Sequence, residues 1–263
     1  MIKVVIAGFN GKMGQVTTEM ILKDSRFELV GVVTSSSKYS NLKELNEYRE
    51  IDVPIYTSKE EVVSQITIDA WIDFTSPERI NETLLFLIEK GIRPVVGTTG
   101  LTSQEIEIIQ TKAQKKQLGG LIAPNFAIGA VLMTEFAVKA ANYFPDIEII
   151  ELHHDQKVDA PSGTAINTAK AISRVRESKI QGHQEEKELI TGARGANYEG
   201  MRIHSVRLPG LIAHQQVQFG SQGEGLIIRH DSYDRSSFMA GVALAVEKVM
   251  SLEEIVYGLE CVL

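Results

Sequence analysis

The 263-residue chain has a single cysteine, Cys261, which excludes an internal disulfide and any zinc site built from several thiolates. Positive charge is in deficit: the formal net charge is −7, so the electrostatic footprint of a nucleic-acid-binding protein is missing. No apolar run approaches the ~18 residues that a membrane-spanning helix requires. The opening stretch, MIKVVIAGFNGKMG, turns glycine-rich too soon to be read as a secretory signal. Internal repeats and low-complexity tracts are also lacking. What is present is ordinary, 43% hydrophobic and 23% charged residues, and it fits a cytoplasmic globular protein with no nucleic-acid or membrane partner. The length suffices for a sizeable core in one large domain or two modest ones.

Short apolar runs alternate with amphipathic segments through the first half. Strands are expected at residues 2–7, 27–33, 70–74, 93–97 and 120–124. Helices are expected at 12–24, at 77–90 (closed by Gly91), and from a Thr102 cap to about residue 117. Continuous apolar strands separated by helices indicate a parallel sheet with crossovers. The second half changes character. A long helix over 127–144 precedes a strand ending near His154 and a helix over 164–177. Between 201 and 232 the pattern becomes strand, turn, strand, with tight glycine-containing turns that argue for antiparallel pairing. Polar, glycine-punctuated residues 181–197 read as a mobile loop, and 237–250 return to a helix. The expected fold class is therefore α/β, a doubly wound parallel sheet with an inserted α+β domain. The domains would be residues 1–126 with 234–263, and residues 127–233.

The first chemical motif is GFNGKMG, directly after the first strand. Strand, glycine turn and helix start together form a dinucleotide phosphate cradle of the Rossmann type, because glycine lets the backbone approach a pyrophosphate and free N–H groups favour the anion. The spacing of Gly8, Gly11 and Gly14 is G-x-x-G-x-x-G, with Asn10 where the usual fingerprint has its middle glycine. The loop after the second strand offers Thr34, Ser35, Ser36, Ser37 and Lys38 in place of the acid that binds a ribose diol. Lys38 and the hydroxyls suit a 2′-phosphate and lean the cofactor toward NADPH over NADH; a plain solvated loop is the alternative. Two more turns, Gly97–Thr98–Thr99 and Ala123–Pro124–Asn125–Phe126, fall at strand carboxyl ends, where doubly wound sheets bind ligands.

The second motif is ELHHDQKVDAPSGTA, residues 151–165. Adjacent side chains of a strand point to opposite faces, so His153 and His154 diverge. Lys157 follows after a short turn. Ser162 then stands at a helix N-cap, with Gly163 and Thr164 in the first turn offering unpaired N–H groups. Together these make a carboxylate site beside proton donors. Exposed histidines next to a capped helix are the structural alternative. Metal binding by His153, His154 and Asp155 is disfavoured by the divergence and by the lack of a fourth ligand, so no metal is expected.

This second motif closely resembles the signature of the 4-hydroxy-tetrahydrodipicolinate reductase (dihydrodipicolinate reductase) family. GFNGKMG, DFTSPE, VVGTTG, APNFAIG, IHSVRLPG and IRHDSYDRSSF carry the resemblance along nearly the whole chain. The resemblance implies NAD(P)H-dependent reduction of a cyclic, unsaturated imine dicarboxylate, with loss of water, to tetrahydrodipicolinate in the diaminopimelate route to lysine. It also implies His153 as catalytic proton donor or acceptor and Lys157 as a second proton donor. His154 would contact substrate, while Gly163 and Thr164 would hold a substrate carboxylate. Gly8, Phe9, Asn10, Gly11, Lys12 and Met13 would bind the dinucleotide with Gly97, Thr98, Thr99, Ala123, Pro124, Asn125 and Phe126. The inserted domain would assemble a homotetramer. Asn10, and Asp155–Gln156 where relatives often carry basic residues, depart from the family pattern. Another NAD(P)-dependent amino-acid dehydrogenase would share the first domain, and a non-catalytic dinucleotide sensor predicts degraded catalytic positions, whereas His153, Lys157 and Thr164 are all present.

Overall fold

The computed structural model describes residues 1–263. They form two compact units, one of residues 1–127 with 238–263 and one of residues 128–237. No helix is long and apolar enough to cross a membrane.

The first unit is a seven-stranded, wholly parallel sheet with its helices as crossovers. In chain order it contains β1 (Ile2–Ala7), α1 (Lys12–Lys23), β2 (Phe27–Val33), β3 (Ile55–Tyr56), α2 (Lys59–Gln65), β4 (Ala70–Asp73), α3 (Pro77–Lys90), β5 (Arg93–Val96), α4 (Ser103–Lys115) and β6 (Gly120–Ile122). The strand order is β3-β2-β1-β4-β5-β6, extended past β6 by a C-terminal strand described below. The order reverses between β1 and β4, the switch point at which such sheets place ligands. Every residue of β4, AWID, is buried, as a strand covered on both faces requires. The helix ends follow local chemistry. Pro77 sits in the first turn of α3, and Gly91 closes it in the left-handed region at φ 71°. In α4, Thr102 and Glu105 form a reciprocal capping box. Ile80, Leu84 and Ile88 of α3 pack with Val96, Ile109, Ile122 and Ile255 into one apolar cluster.

The second unit contains α5 (Ile128–Ala141), β7 (Asp146–His153), α6 (Gly163–Ser173), β8 (Ala196–Tyr198), β9 (Met201–Arg207), β10 (Ala213–Ser221) and β11 (Glu224–Ser232). The chain then returns to the first unit through α7 (Met239–Lys248) and β12 (Ile255–Tyr257), which pairs in parallel with β6. The second sheet runs β11-β10-β7-β9-β8. Ile147 and Ile149 of β7, Val217 and Phe219 of β10, and Met201 and Ile203 of β9 face Ala137 and Ala141 of α5 and Ala165, Ala169 and Ile172 of α6.

Three sequence expectations need correction. First, β9 and β10 are not hairpin partners across Pro209–Gly210. β7 lies between them, antiparallel to β10 and parallel to β9. The chain from β7 through α6 to β9 is a crossover, and the Leu208 N–H donates to the His153 carbonyl to prolong the parallel ladder. Turn chemistry at 209–210 allows a hairpin, but both strands gain more by flanking the half-buried β7. Second, the sequence reading assigned no element between the polar loop of residues 34–44 and residue 70, nor after residue 250, whereas β3, α2 and β12 lie there; strands of two or three residues leave almost no periodic signal. Third, the 181–197 segment, read as a mobile loop, is tied to β7: Gln181 exchanges hydrogen bonds with the Ile147 backbone, and Arg194 pairs with Glu148 as well as with Glu186.

Leu84 has no exposed surface, and truncating a fully buried leucine costs about 2–5 kcal/mol. Leu84→Ala is therefore expected to lower the urea midpoint of the first unit by a corresponding amount, read by circular dichroism; an unchanged midpoint would refute the packing described.

Candidate active site

In the first unit the glycine turn after β1 is built by close contacts that only glycine permits. Gly8 has φ 81°, and a Cβ there would lie 2.5 Å from the Phe74 carbonyl oxygen. A Cβ on Gly14 would lie 2.1 Å from the Gly8 carbonyl oxygen, so α1 is pressed against the turn. Gly11, the N-cap of α1, meets only the Gly8 carbonyl at 3.3 Å. The Gly8 N–H donates to Val33 at the end of β2, joining the turn to the loop that follows. Phe9 is buried, Gly11 and Lys12 are exposed, and Met13 is partly covered.

Beside the turn, a cavity of about 320 Å³ is lined by Phe9, Asn10, Ser36, Ser37, Lys38 and Tyr39, among others. The Lys38 ammonium stands 4.9 Å from the centre of the Tyr39 ring. A strand, a glycine turn, a helix start and an adjoining cavity with hydroxyls and a lysine fit a dinucleotide.

The other strand ends converge on Phe74. Its ring packs edge-to-face on Phe126 at 5.9 Å and forbids any side chain at Gly97, where a Cβ would come within 2.2 Å of it. Beneath it, Asp73 is buried and accepts from the Thr75 N–H and hydroxyl (3.0 and 2.6 Å), the Thr98 hydroxyl (2.9 Å) and the Trp71 indole (3.3 Å). Thr98 is thereby held at the end of β5, while Thr99 and Pro124 are exposed. Ala123 is buried at the end of β6, and Asn125 accepts from the Ala127 N–H, shaping the turn that follows.

In the second unit the site is built on β7. Its inward face carries Ile147, Ile149, Glu151 and His153 by simple alternation. Glu151 has no exposed surface. Its carboxylate lies 2.5 Å from His153 Nδ1 and accepts from both terminal nitrogens of Arg207 at 2.8–2.9 Å and from the Ser162 N–H at 3.2 Å. Burial alone would push this carboxyl up, but hydrogen bonds from His153, Arg207 and Ser205 outweigh it and hold the group at about 2. His154 lies beyond the strand end, partly covered, and its imidazole makes no hydrogen bond within the chain.

Around this carboxylate the other named residues assemble. Arg207 donates onward to the Asp159 carbonyl at 2.8 Å, and the Asp159 carboxylate holds the Lys157 ammonium at 2.7 Å. Ser162 caps α6, its hydroxyl accepting from Ala165 at 3.2 Å. The N–H groups of Gly163 and Thr164 lie in the first turn, where a helix has no internal partner for them. A Cβ on Gly163 would meet nothing within 4 Å, so the chain's own packing does not require glycine there.

His153, Ser162 and Lys157 are thus linked through Glu151, Arg207 and Asp159, Gly163 and Thr164 follow Ser162 in the first turn of α6, and the His154 imidazole makes no hydrogen bond to them. Gly8 to Met13 and Lys38 gather at the carboxyl ends of β1 and β2, and Gly97 to Thr99 and Ala123 to Phe126 at those of β5 and β6. Sequence reading missed Asp73, Phe74, Glu151, Asp159 and Arg207. Glu151 was within reach, because it sits two positions before His153 on a strand and so shares its face. Arg207, 56 positions from Glu151, had no such signal.

The comparisons with known proteins agree across the whole chain. The family models described as dihydrodipicolinate reductase, N-terminus, and dihydrodipicolinate reductase, C-terminus, match residues 2–126 and 129–263. The 4-hydroxy-tetrahydrodipicolinate reductase of Enterococcus faecalis is 57% identical over 260 residues, covering 99% of each chain. That of Listeria monocytogenes is 52% identical over 261 residues, again 99% of each. The dipicolinate-bound dihydrodipicolinate reductase of Paenisporosarcina sp. TG-14 superposes with a TM-score of 0.93 at 48% identity, over 100% of both chains. Matched in both halves, and more than half identical to full-length relatives, the chain belongs to the dihydrodipicolinate reductase family.

Proposed function

We propose that the protein is a nicotinamide-dependent 4-hydroxy-tetrahydrodipicolinate reductase, with the first unit as its dinucleotide-binding domain and the second as its substrate domain. The observation that carries this reading is the start of α6. Unpaired N–H groups at Gly163 and Thr164, open space above Gly163, and His153 tied to the same Glu151 that receives the Ser162 N–H together suit a cyclic dicarboxylate. The family relative solved with dipicolinate, a ring dicarboxylate, supports the same substrate class.

When bound, a reduced nicotinamide supplies the hydride. Loss of water from the 4-hydroxy ring leaves a conjugated imine, and hydride addition to it creates electron density that must take up a proton. His153 delivers that proton as general acid. Lys157 is a second proton donor; its ammonium must first leave Asp159. His154 contacts the ring or a carboxylate, and Ser162, Gly163 and Thr164 hold a carboxylate at the helix N-terminus, where the dipole favours an anion. Gly8, Phe9, Asn10, Gly11, Lys12 and Met13 cradle the pyrophosphate, while Gly97, Thr98, Thr99, Ala123, Pro124, Asn125 and Phe126 line the nicotinamide half. Lys38, with Ser36 and Ser37, holds the 2′-phosphate, so NADPH is the preferred donor.

A homotetramer belongs to the same reading. The second sheet is covered by α5 and α6 on one face only, and Ile227 remains 61% exposed on β11; a second copy of the chain would cover the open face. A cytoplasmic setting suits an enzyme of amino-acid biosynthesis with one cysteine.

A coupled assay tests the activity: pyruvate and aspartate semialdehyde condensed by the preceding synthase, with nicotinamide absorbance followed. Turnover that depends on this protein supports the reading, and none from folded protein would defeat it. Lys38→Ala is expected to raise the KM for NADPH about tenfold, the equivalent of roughly 1.4 kcal/mol, and to leave the KM for NADH unchanged; equal effects on both would remove Lys38 from the 2′-phosphate. Lys157→Ala is expected to lower kcat by about 10²-fold or more, as loss of a proton donor does, without changing dinucleotide affinity. Gly163→Ala should leave stability unchanged or raise it by up to about 1 kcal/mol while increasing substrate KM severalfold. If Gly163→Ala binds substrate normally, the helix start is not the carboxylate site.

A further inference from the structure

We propose that Glu151 is the positioning residue for His153: it accepts the Nδ1–H and so leaves Nε2 as the ring nitrogen that exchanges the catalytic proton. The inference rests on the role of His153 in the reading above and extends it to a residue with no exposed surface.

The argument begins with the strand. Residues two apart on β7 share a face, so the Glu151 carboxylate lies alongside the His153 ring, and Oε2 stands 2.5 Å from Nδ1. Which atom carries the proton follows from the other partners of the carboxylate. Oε1 accepts from the Ser162 N–H and an Arg207 terminal nitrogen, and Oε2 accepts from the other Arg207 nitrogen. Every one of these groups is a donor, and the guanidinium is always charged. A carboxylate so surrounded is ionised and can only accept. The hydrogen shared with the imidazole therefore sits on Nδ1, so the proton given to substrate is the one carried on Nε2 of the imidazolium, and the neutral ring left behind has its lone pair on Nε2. No side chain within the chain bonds Nε2.

The same carboxylate sets the rest of the site. It fixes the Ser162 backbone, which starts α6, and through Arg207 it holds the Asp159 carbonyl in the loop that bears Lys157. Orientation of the proton donor and placement of the carboxylate cradle are thus coupled through one side chain with no exposed surface. Glu151 shares the acid–base pairing in which a buried carboxylate holds a histidine in one tautomer and rotamer.

The test is ¹⁵N NMR of histidine-labelled protein at a pH where the rings are neutral, with the His153 signals assigned by their loss in His153→Gln. The expected result is a protonated Nδ1 and an unprotonated Nε2. A neutral His153 protonated on Nε2 would overturn the proposal. This measurement uses the unaltered chain and needs no substrate, so it stands even where a variant unfolds. It also separates the two readings: the expected tautomer in a protein without reductase activity defeats the function, whereas the opposite tautomer in an active enzyme defeats only the positioning role. In Glu151→Gln with native circular dichroism, kcat is expected to fall about 10²-fold or more, on the scale of a lost general acid, with dinucleotide affinity unchanged, and Glu151→Asp is expected to recover part of the loss. A folded Glu151→Gln enzyme with unaltered kcat would equally refute the role.

Discussion

Burying the Glu151 carboxylate removes a charge from water, and the chain compensates with donors brought from separate elements: His153 from the same strand, Arg207 and Ser205 from β9, and the Ser162 backbone from the start of α6. Such an arrangement stabilises only when every lone pair is met, and removing one partner leaves a buried charge uncompensated. The geometry of the second unit is therefore over-determined at this point. β9 must lie in parallel register with β7, Glu151 opposite Ser205 and His153 opposite Arg207. Only the crossover through α6 places Arg207 there, and that crossover delivers Ser162, Gly163 and Thr164 to the same end of the strand. His153, the loop that bears Lys157 and the open helix start are brought together in satisfying one carboxylate.

The first unit reaches its site by a different route. There the constraint is steric. Phe74 occupies the space that side chains on Gly8 and Gly97 would need, and its ring packs edge-to-face on Phe126. Asp73, buried one residue earlier, gathers the hydroxyls of Thr75 and Thr98. Strands that are parallel and buried on both faces end together at one edge of the sheet, so the turns after β1, β4, β5 and β6 meet without any long-range ion pair. A polar hub with an aromatic cover holds that edge of the sheet together.

Much of the first unit was legible in advance because its signals are local. Largely apolar runs of four to seven residues mark β1, β2, β4 and β5. The caps Thr102 and Gly91 sit where α4 begins and α3 ends. The failures are equally physical. β3 and β12, with two and three residues, are too short for periodicity to register, and they exist because the neighbouring strand edges offer unpaired backbone groups. The turn at Pro209–Gly210 has the composition of a hairpin, yet β9 and β10 each pair with β7. Local turn propensity was overruled by the ladder that β7 offers on both edges. In the site, His153, Lys157 and the Ser162–Thr164 turn could be singled out because they fall within one short motif. Glu151 went unremarked although strand alternation places it beside His153.

Taken alone, the sequence determined the residue types available for chemistry, the alternation that separates His153 from His154, the glycines that permit a tight turn after β1, and the family, through motifs spread along the whole chain. These are properties of neighbours a few positions apart, where covalent geometry and side-chain period suffice. The tertiary structure alone decided which nitrogen of His153 faces a carboxylate, which cation neutralises Glu151, and where Lys157 rests. Each depends on contacts between residues distant in sequence, and parallel pairing of β7 with β9 brings Arg207 across 56 positions to Glu151. No local pattern encodes that register, because the buried charge that selects it exists only once the strands are packed.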